Sequence, residues 1–121
     1  VAYRWLPELG GRRKVRPGSP NTAWRNASFQ GYADHLDSVE FAEGLEKLLR
    51  LAADGRTALM CAEAVWWRCH RRIITDYLLA AGERVMHILG ASHVDEAHLT
   101  PGAVVRGDGT VVYPAEGLWR G

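Results

Sequence analysis

The sequence predicts a three-layer α/β fold with a mainly parallel sheet, flanking helices and a C-terminal β-hairpin. Residues 57–62 form an apolar run without helical periodicity, which is typical of a strand buried on both faces. Residues 69–81 follow with apolar side chains at helical spacing, and Gly82 can cap that helix. Residues 84–89 form a second apolar run. A strand–helix–strand unit of this length predicts a right-handed crossover between two parallel strands.

The other elements are predicted from shorter patterns. Residues 1–6 alternate aromatic and smaller side chains, which indicates an entering strand. Aromatic residues favour a short helix over 28–36, and Ser38 can cap a clearer amphipathic helix that starts at Val39. Residues 103–113 contain two valine pairs around a Gly-Asp-Gly turn, which predicts the hairpin.

Composition places limits on the function. The chain has 121 residues, so we expect a single α/β domain over 1–121. The formal net charge of +1 argues against binding of polyanions by the whole surface. No apolar run has the ~18–20 residues of a membrane span, and no secretory leader is visible. Two cysteines are too few for a disulfide scaffold. These features predict a cytoplasmic protein with reduced thiols and no membrane partner.

Reactive side chains concentrate between the first buried strand and the helix that follows it. In parallel sheets, ligands bind beyond the carboxyl ends of the strands, where helix N-termini present free N–H groups. The predicted site therefore combines the end of the strand, the loop and the first helical turn. Its members are Cys61, Glu63, Trp66, Trp67, Arg68, Cys69, His70, Arg71 and Arg72.

Three of these residues are predicted to be catalytic. Cys69 starts a helix among cations, and both features lower the pKa of a thiol, although a cysteine can also simply fill a helix–sheet seam. Glu63 follows a buried strand and acts either as an acid, base or nucleophile or as the partner of an arginine. His70 orients Glu63, assists the thiolate or forms a hydrogen bond in the seam. Cys61 is more typical of a core.

The remaining candidates would bind or support the ligand. Arg68, Arg71 and Arg72 are expected to bind an anion. Arg12 and Arg13 belong to a basic loop over 10–21 that either contacts phosphate or is simply solvated. Trp66 and Trp67 could stack on a base. Cys61 and His93 are expected to lie beside the residues that contact the ligand.

A metal site is an alternative use of the soft ligands. Cys61, Cys69 and His70, with His87 or His93, could bind zinc. However, their spacing matches no paired zinc knuckle, and adjacent side chains on a helix diverge by ~100°. We therefore predict no cofactor and keep zinc or another metal as the alternative.

Several motifs resemble a known family. Leu-Met-Cys-Ala-Glu ends at Glu63 and is followed by Cys-His-Arg at residues 69–71, with Leu-Gly-Gly at 9–11 and Phe-Gln-Gly-Tyr-Ala-Asp at 29–34 upstream. Together they resemble the family catalogued as domain of unknown function 488, over almost the whole chain. The resemblance implies a small cytosolic α/β protein of bacteria or archaea and implies no particular activity.

The family pattern begins with two strands that carry Gly-His-Ser and Asp-Val-Arg, and neither motif occurs here. The chain thus resembles the C-terminal two-thirds of a family member. Without the upstream strand–helix–strand unit, one strand edge and an apolar face would be uncovered. We expect either that such a unit precedes Val1 or that a homodimer covers the edge.

Three hypotheses on function follow. The first is an enzyme that acts on a phosphate-bearing ligand, either a nucleotide or a nucleic-acid component. The second is a non-catalytic module that binds a nucleotide or nucleic acid through the same arginines. The third is a redox or metal sensor based on the cysteines. Residue types fit all three, and fold alone does not decide among them.

Overall fold

A computed structural model describes residues 3–60 and 69–115. A single 3-10 turn, Pro7–Leu9, precedes three helices: α1 (Ala27–His35), α2 (Val39–Asp54) and α3 (Arg71–Ala80). Four short strands follow: β1 (Met86–Gly90), β2 (His93–Glu96), β3 (Val104–Val105) and β4 (Val111–Val112). Within the described residues, the fold is therefore a group of helices with two small strand pairs attached.

Two of the helices begin at side-chain caps. The side chain of Asn26 accepts hydrogen bonds from the N–H groups of Ser28 and Phe29, which fixes the start of α1. Ser38 caps α2 through the N–H of Phe41. Both helices therefore lie within one residue of the positions that the sequence predicts.

The core lies between the helices and β4. The side chains of its members are almost completely buried. They come from the 3-10 turn, from all three helices and from the C-terminal strand pair. They are Leu9, Tyr32, Ala33, Leu36, Phe41, Leu45, Leu48, Ile73, Ile74, Leu78, Val111 and Tyr113. The spacing of Phe41, Leu45 and Leu48 on α2 is the apolar stripe that the sequence indicates.

The predicted three-layer, mainly parallel sheet is wrong. Both sheets in the described part of the chain have two strands, and both are antiparallel. β1 occupies the position of the predicted second strand, but it pairs with β2 across the two-residue turn at 91–92. A tight turn provides a local partner, so β1 needs no distant parallel neighbour. The β3–β4 pair forms the predicted hairpin.

Two other predicted strands are missing from the described residues. Residues 3–6 and 57–60 have no strand assignment, and Met60 is 80% exposed. The end of the second segment, 61–62, lies outside the described residues. A strand requires a hydrogen-bonding neighbour, and none pairs with residues 57–60 among those described. The apolar run therefore does not produce a sheet by itself.

A buried carboxylate ties the basic loop to α1. Asp34 is 3% exposed and accepts hydrogen bonds from the N–H of Arg16, the hydroxyl of Ser19 and the amide of Asn21 at 2.9, 2.6 and 2.7 Å. Asn21 in turn accepts the N–H of Tyr113 at 2.8 Å. The second half of the loop is thus anchored to α1 and to the C-terminal strand pair, and it is not simply a solvated segment.

Among the described residues, no helix has both the length and the apolar character that crossing a membrane would require.

Candidate functional site

The thiol of Cys69 lies at the amino end of α3 and accepts two hydrogen bonds from Arg71. The backbone N–H of Arg71 donates to Sγ at 3.2 Å, and the guanidinium Nε donates at 3.0 Å. The side chain of Cys69 is therefore an acceptor for the first N–H of the helix, a position that oxygen side chains usually occupy. The two N–H donors of Arg71 and the dipole of α3 both favour the thiolate form of Cys69.

The other N–H groups of the first turn are already bonded. Arg72 donates its N–H to the carbonyl of Cys69 at 3.1 Å, and Ile73 donates to the carbonyl of His70 at 3.0 Å. An added anion would thus compete with the sulfur of Cys69 and with backbone carbonyls for these donors. The geometry makes the thiol, and not a row of free N–H groups, the centre of this site.

His70 lies between the loop and α1. Its ring is 5.0 Å from the ring of Tyr32, measured between centroids. On another side it packs on Gly11, where a Cβ atom would lie 2.9 Å from both Cγ and Cε1 of the imidazole. Burial, followed by the charges of Arg71 and Arg13, lowers the pKa of His70. The imidazole is therefore neutral near pH 7 and can accept a proton.

Tyr32 connects the site to the 3-10 turn. Its hydroxyl donates to the carbonyl of Leu9 at 2.8 Å, and its side chain is fully buried. Burial raises the pKa of this phenol, so it remains a neutral donor. The Leu-Gly-Gly, Phe-Gln-Gly-Tyr-Ala-Asp and Cys-His-Arg motifs, which are far apart in sequence, therefore meet around one histidine.

The model of the family described as domain of unknown function DUF488 matches residues 1–78. The chain belongs to the DUF488 family. The match ends within α3, so the prediction that the resemblance covers almost the whole chain is wrong in extent: both strand pairs of this DUF488 protein lie beyond it. No curated protein and no solved structure matches the chain.

Arg13 of this DUF488 protein has a structural role. Its guanidinium donates to the carbonyls of Pro7, Glu8 and Gly10 at 3.0, 3.3 and 3.0 Å and forms a 2.8 Å ion pair with Glu40. It thereby closes the end of the 3-10 turn and fastens it to α2. The guanidinium of Arg13 is engaged in these contacts, which hold the fold together. The structure therefore does not support a role for Arg13 in binding an anion.

Arg72 is also directed away from the thiol. Its Nε donates to the hydroxyl of Thr100 at 3.1 Å, and its guanidinium lies 5.3 Å from the ring centroid of Trp24. A cation above a tryptophan ring is attracted by the ring electrons. Of the predicted anion-binding residues that the structure describes, Arg71 directs its guanidinium to the sulfur of Cys69, whereas Arg72 contacts Cys69 through its backbone N–H.

Sequence patterns missed a second buried carboxylate, Asp76. It is 1% exposed and accepts hydrogen bonds from the N–H of Thr100 at 2.8 Å and from the hydroxyl of Tyr113 at 2.7 Å. Burial raises the pKa of Asp76, and the two hydrogen bonds act in the opposite direction. One signal was available: Asp76 follows Ile73 by three positions, so a polar residue falls on the apolar face of the helix.

Other predicted residues lie apart or outside the described part of the chain. Arg12 is exposed, and exposed His93 on β2 pairs with Asp95 at 3.2 Å. The predictions for Cys61, Glu63, Trp66, Trp67 and Arg68 fall on residues 61–68, outside those described. Among residues 3–60 and 69–115, no three His, Cys, Asp or Glu side chains are grouped as metal ligands would be.

Proposed function

We propose that this DUF488 protein is an enzyme that acts on a phosphate-bearing ligand, with Cys69 as its nucleophile. A nucleotide or a nucleic-acid component is the ligand class that we favour. The observation that carries the proposal is the pair of hydrogen bonds from Arg71 to the sulfur of Cys69. A thiolate is the reactive form of cysteine, and these donors stabilise it.

His70, the residue that follows Cys69 in the sequence, is the base in this proposal. Its lowered pKa leaves the imidazole neutral, so it can accept the thiol proton, directly or through one water. Gly11 and Tyr32 restrict the ring to one position. Glu63 follows Cys61 in the matched motif and is proposed as a further acid or base.

Arg71 gives the site its preference for anions. The guanidinium donates to the thiol through Nε, and the positive charge of a guanidinium attracts phosphate. The ligand would therefore approach Cys69 from the side of Arg71. The formal net charge of the chain is only +1, but a single cation beside Cys69 is sufficient to attract a phosphate group.

Thiol reactivity tests the nucleophile. We expect iodoacetamide to alkylate Cys69 at pH 6, where an ordinary thiol with a pKa near 8.5 is almost entirely protonated. Arg71→Ala should shift the alkylation profile of Cys69 to higher pH. Arg84→Ala, at an exposed position with the same loss of charge, is the matched control and should leave the profile unchanged.

A ligand screen tests the activity. A library of nucleotides and other phosphate esters would be incubated with the wild type, Cys69→Ala and Glu63→Gln, and conversion followed by mass spectrometry. We expect a phosphate-bearing compound to be converted by the wild type and not by Cys69→Ala. Undiminished conversion by Cys69→Ala would exclude Cys69 as the nucleophile.

A thiol redox sensor is the second candidate, and the same hydrogen bonds favour it. Thiolates are oxidised to sulfenic acid faster than thiols are. Treatment with hydrogen peroxide should then modify Cys69, detected as a mass increase on its peptide after trapping with dimedone. A sensor would show this oxidation at low peroxide concentration and would convert no compound in the screen.

A further inference from the structure

A second candidate site is a pocket of about 230 Å³ between the basic loop, α1 and the start of α2. The basic loop and the start of α2 form its walls, and its lining includes Lys14, Arg16, His35, Ser38 and Glu40. Its volume is below the ~300 Å³ at which pockets for drug-sized ligands begin. Only a small ligand, or a small group of a larger one, fits inside.

The charges in this pocket leave an excess of two cations. The carboxylate of Glu40 is neutralised by Arg13 at 2.8 Å, so that pair contributes no net charge. The side chains of Lys14 and Arg16 form no ion pair or hydrogen bond with any residue that the structure describes. Two unpaired cations beside one concave surface produce a local positive potential.

The backbone that carries these cations is fixed. The N–H of Arg16 donates to the buried carboxylate of Asp34 at 2.9 Å. The loop crosses α1 at Gly31, where a Cβ atom would lie 2.8 and 2.9 Å from the carbonyl carbons of Arg13 and Lys14. Only glycine permits so close an approach. The two side chains thus project from a positioned backbone, which lowers the entropy lost when they bind a ligand.

The wall formed by His35 and Ser38 is polar and neutral. Nε2 of His35 lies 2.7 Å from the carbonyl of Glu8 and therefore carries the hydrogen, because a carbonyl only accepts. Nδ1 then accepts the hydroxyl hydrogen of Ser38 at 3.0 Å, and the oxygen of Ser38 accepts the N–H of Phe41. Since these donors are used internally, Lys14 and Arg16 must supply the contacts to a ligand.

We propose that the pocket between Lys14, Arg16 and the start of α2 binds a phosphate group. The unpaired ammonium and guanidinium, the small volume and the neutral polar wall fit the tetrahedral oxyanion of phosphate or of a phosphate monoester. This inference does not depend on the chemistry of Cys69, and it gives a use to cations of the basic loop other than Arg12 and Arg13.

Inorganic phosphate is the probe for the test. Its addition to the ¹⁵N-labelled chain at constant ionic strength should shift the amide signals of residues 13–16 and 38–40 in a saturable way. The double variant Lys14→Ala/Arg16→Ala should weaken the affinity at least about tenfold, because two charge-assisted hydrogen bonds are lost. Adenosine monophosphate is the second probe. Shifts in the same residues show that the pocket accepts the phosphate of a monoester, whereas shifts with inorganic phosphate alone restrict it to the free ion.

The matched control is Arg56→Ala/Arg84→Ala, which removes two exposed cations away from the pocket and should keep the wild-type affinity. Cys69→Ala should also keep it. Equal weakening in the two double variants would mean unspecific attraction and overturn the proposal. It would equally be overturned if the wild type shows no saturable binding, or if Cys69→Ala alone abolishes the shifts.

Discussion

Gly11 packs directly on the imidazole of His70, and a methyl group at residue 11 would enter the space that the ring occupies. The two residues belong to motifs 59 positions apart, and Tyr32 on α1 contacts the same ring from another side. This arrangement explains why a Leu-Gly-Gly sequence accompanies a Cys-His-Arg sequence. The glycine provides room for the histidine, which follows Cys69 directly in the sequence.

Gly11→Ala should displace His70 and destabilise the fold. Overpacking of this kind costs about 1–3 kcal/mol of unfolding free energy. In the proposed mechanism His70 accepts the proton of the thiol, so we also expect slower alkylation of Cys69 near neutral pH when the ring is displaced. Urea denaturation and peptide-resolved alkylation rates measure the two effects.

Gly55→Ala is the matched control for this change. No atom lies within 4 Å of the position that its Cβ would occupy, and its φ of 170° is extended backbone that any residue adopts. Removing a glycine there should leave the stability unchanged or raise it slightly. If both variants have the same urea midpoint of unfolding as the wild type, the packing between Gly11 and His70 does not contribute to the free energy of unfolding.

Cys69 should discriminate among thiol reagents by size. Its side chain is 7% exposed, so a bulky reagent reaches the sulfur only after a local opening of the structure. We expect a polymer-linked maleimide to be slowed more than iodoacetamide, each relative to its rate with the same cysteine in urea. Equal slowing of both reagents would show that access to the sulfur does not limit the reaction.

Helices and motifs of this chain were predictable because their signals are local. The aromatic residues of α1, the cap Ser38 and the stripe on α2 lie within a few residues of the structure that they indicate. The beginning of a helix at the Cys-His-Arg motif was likewise predicted, and α3 begins at Arg71. Periodicity and capping need no knowledge of distant partners.

The sheet and the roles of the arginines were not predictable in the same way. Residues 57–60 resemble a buried strand, but strand formation depends on a neighbour that the sequence does not reveal. Arg13 and Arg72 resemble anion ligands, yet their partners are carbonyls, Glu40, Thr100 and the ring of Trp24. Such partners are found only once the tertiary contacts are known.

Tyr113→Phe should weaken the C-terminal strand pair. The hydroxyl of Tyr113 donates to Asp76 at 2.7 Å in a fully buried position, and its loss leaves a buried carboxylate oxygen without that donor. The expected cost is about 1–3 kcal/mol of unfolding free energy. Tyr77→Phe is the matched control, because the half-buried Tyr77 packs on Phe41 through its ring. Similar effects of the two changes would argue that the bond to Asp76 contributes little.

Asp76→Asn should change how stability depends on pH. Burial raises the pKa of the Asp76 carboxyl above its ordinary 3.8. The folded protein therefore holds this proton more tightly than the unfolded chain does. The stability that the proton contributes is fully present below pH 3.8 and is lost as the pH rises through the pKa of the Asp76 carboxyl in the folded protein.

Asparagine does not titrate, so the unfolding free energy of the wild type minus that of Asp76→Asn should decrease with rising pH. Urea denaturation of both proteins at intervals between about pH 3 and pH 8 measures this difference, and the contributions of all other titrating groups cancel in it. A difference that stays constant or grows with pH would mean that burial does not dominate the energetics of Asp76, and that its hydrogen bonds from Thr100 and Tyr113 stabilise the charged form instead.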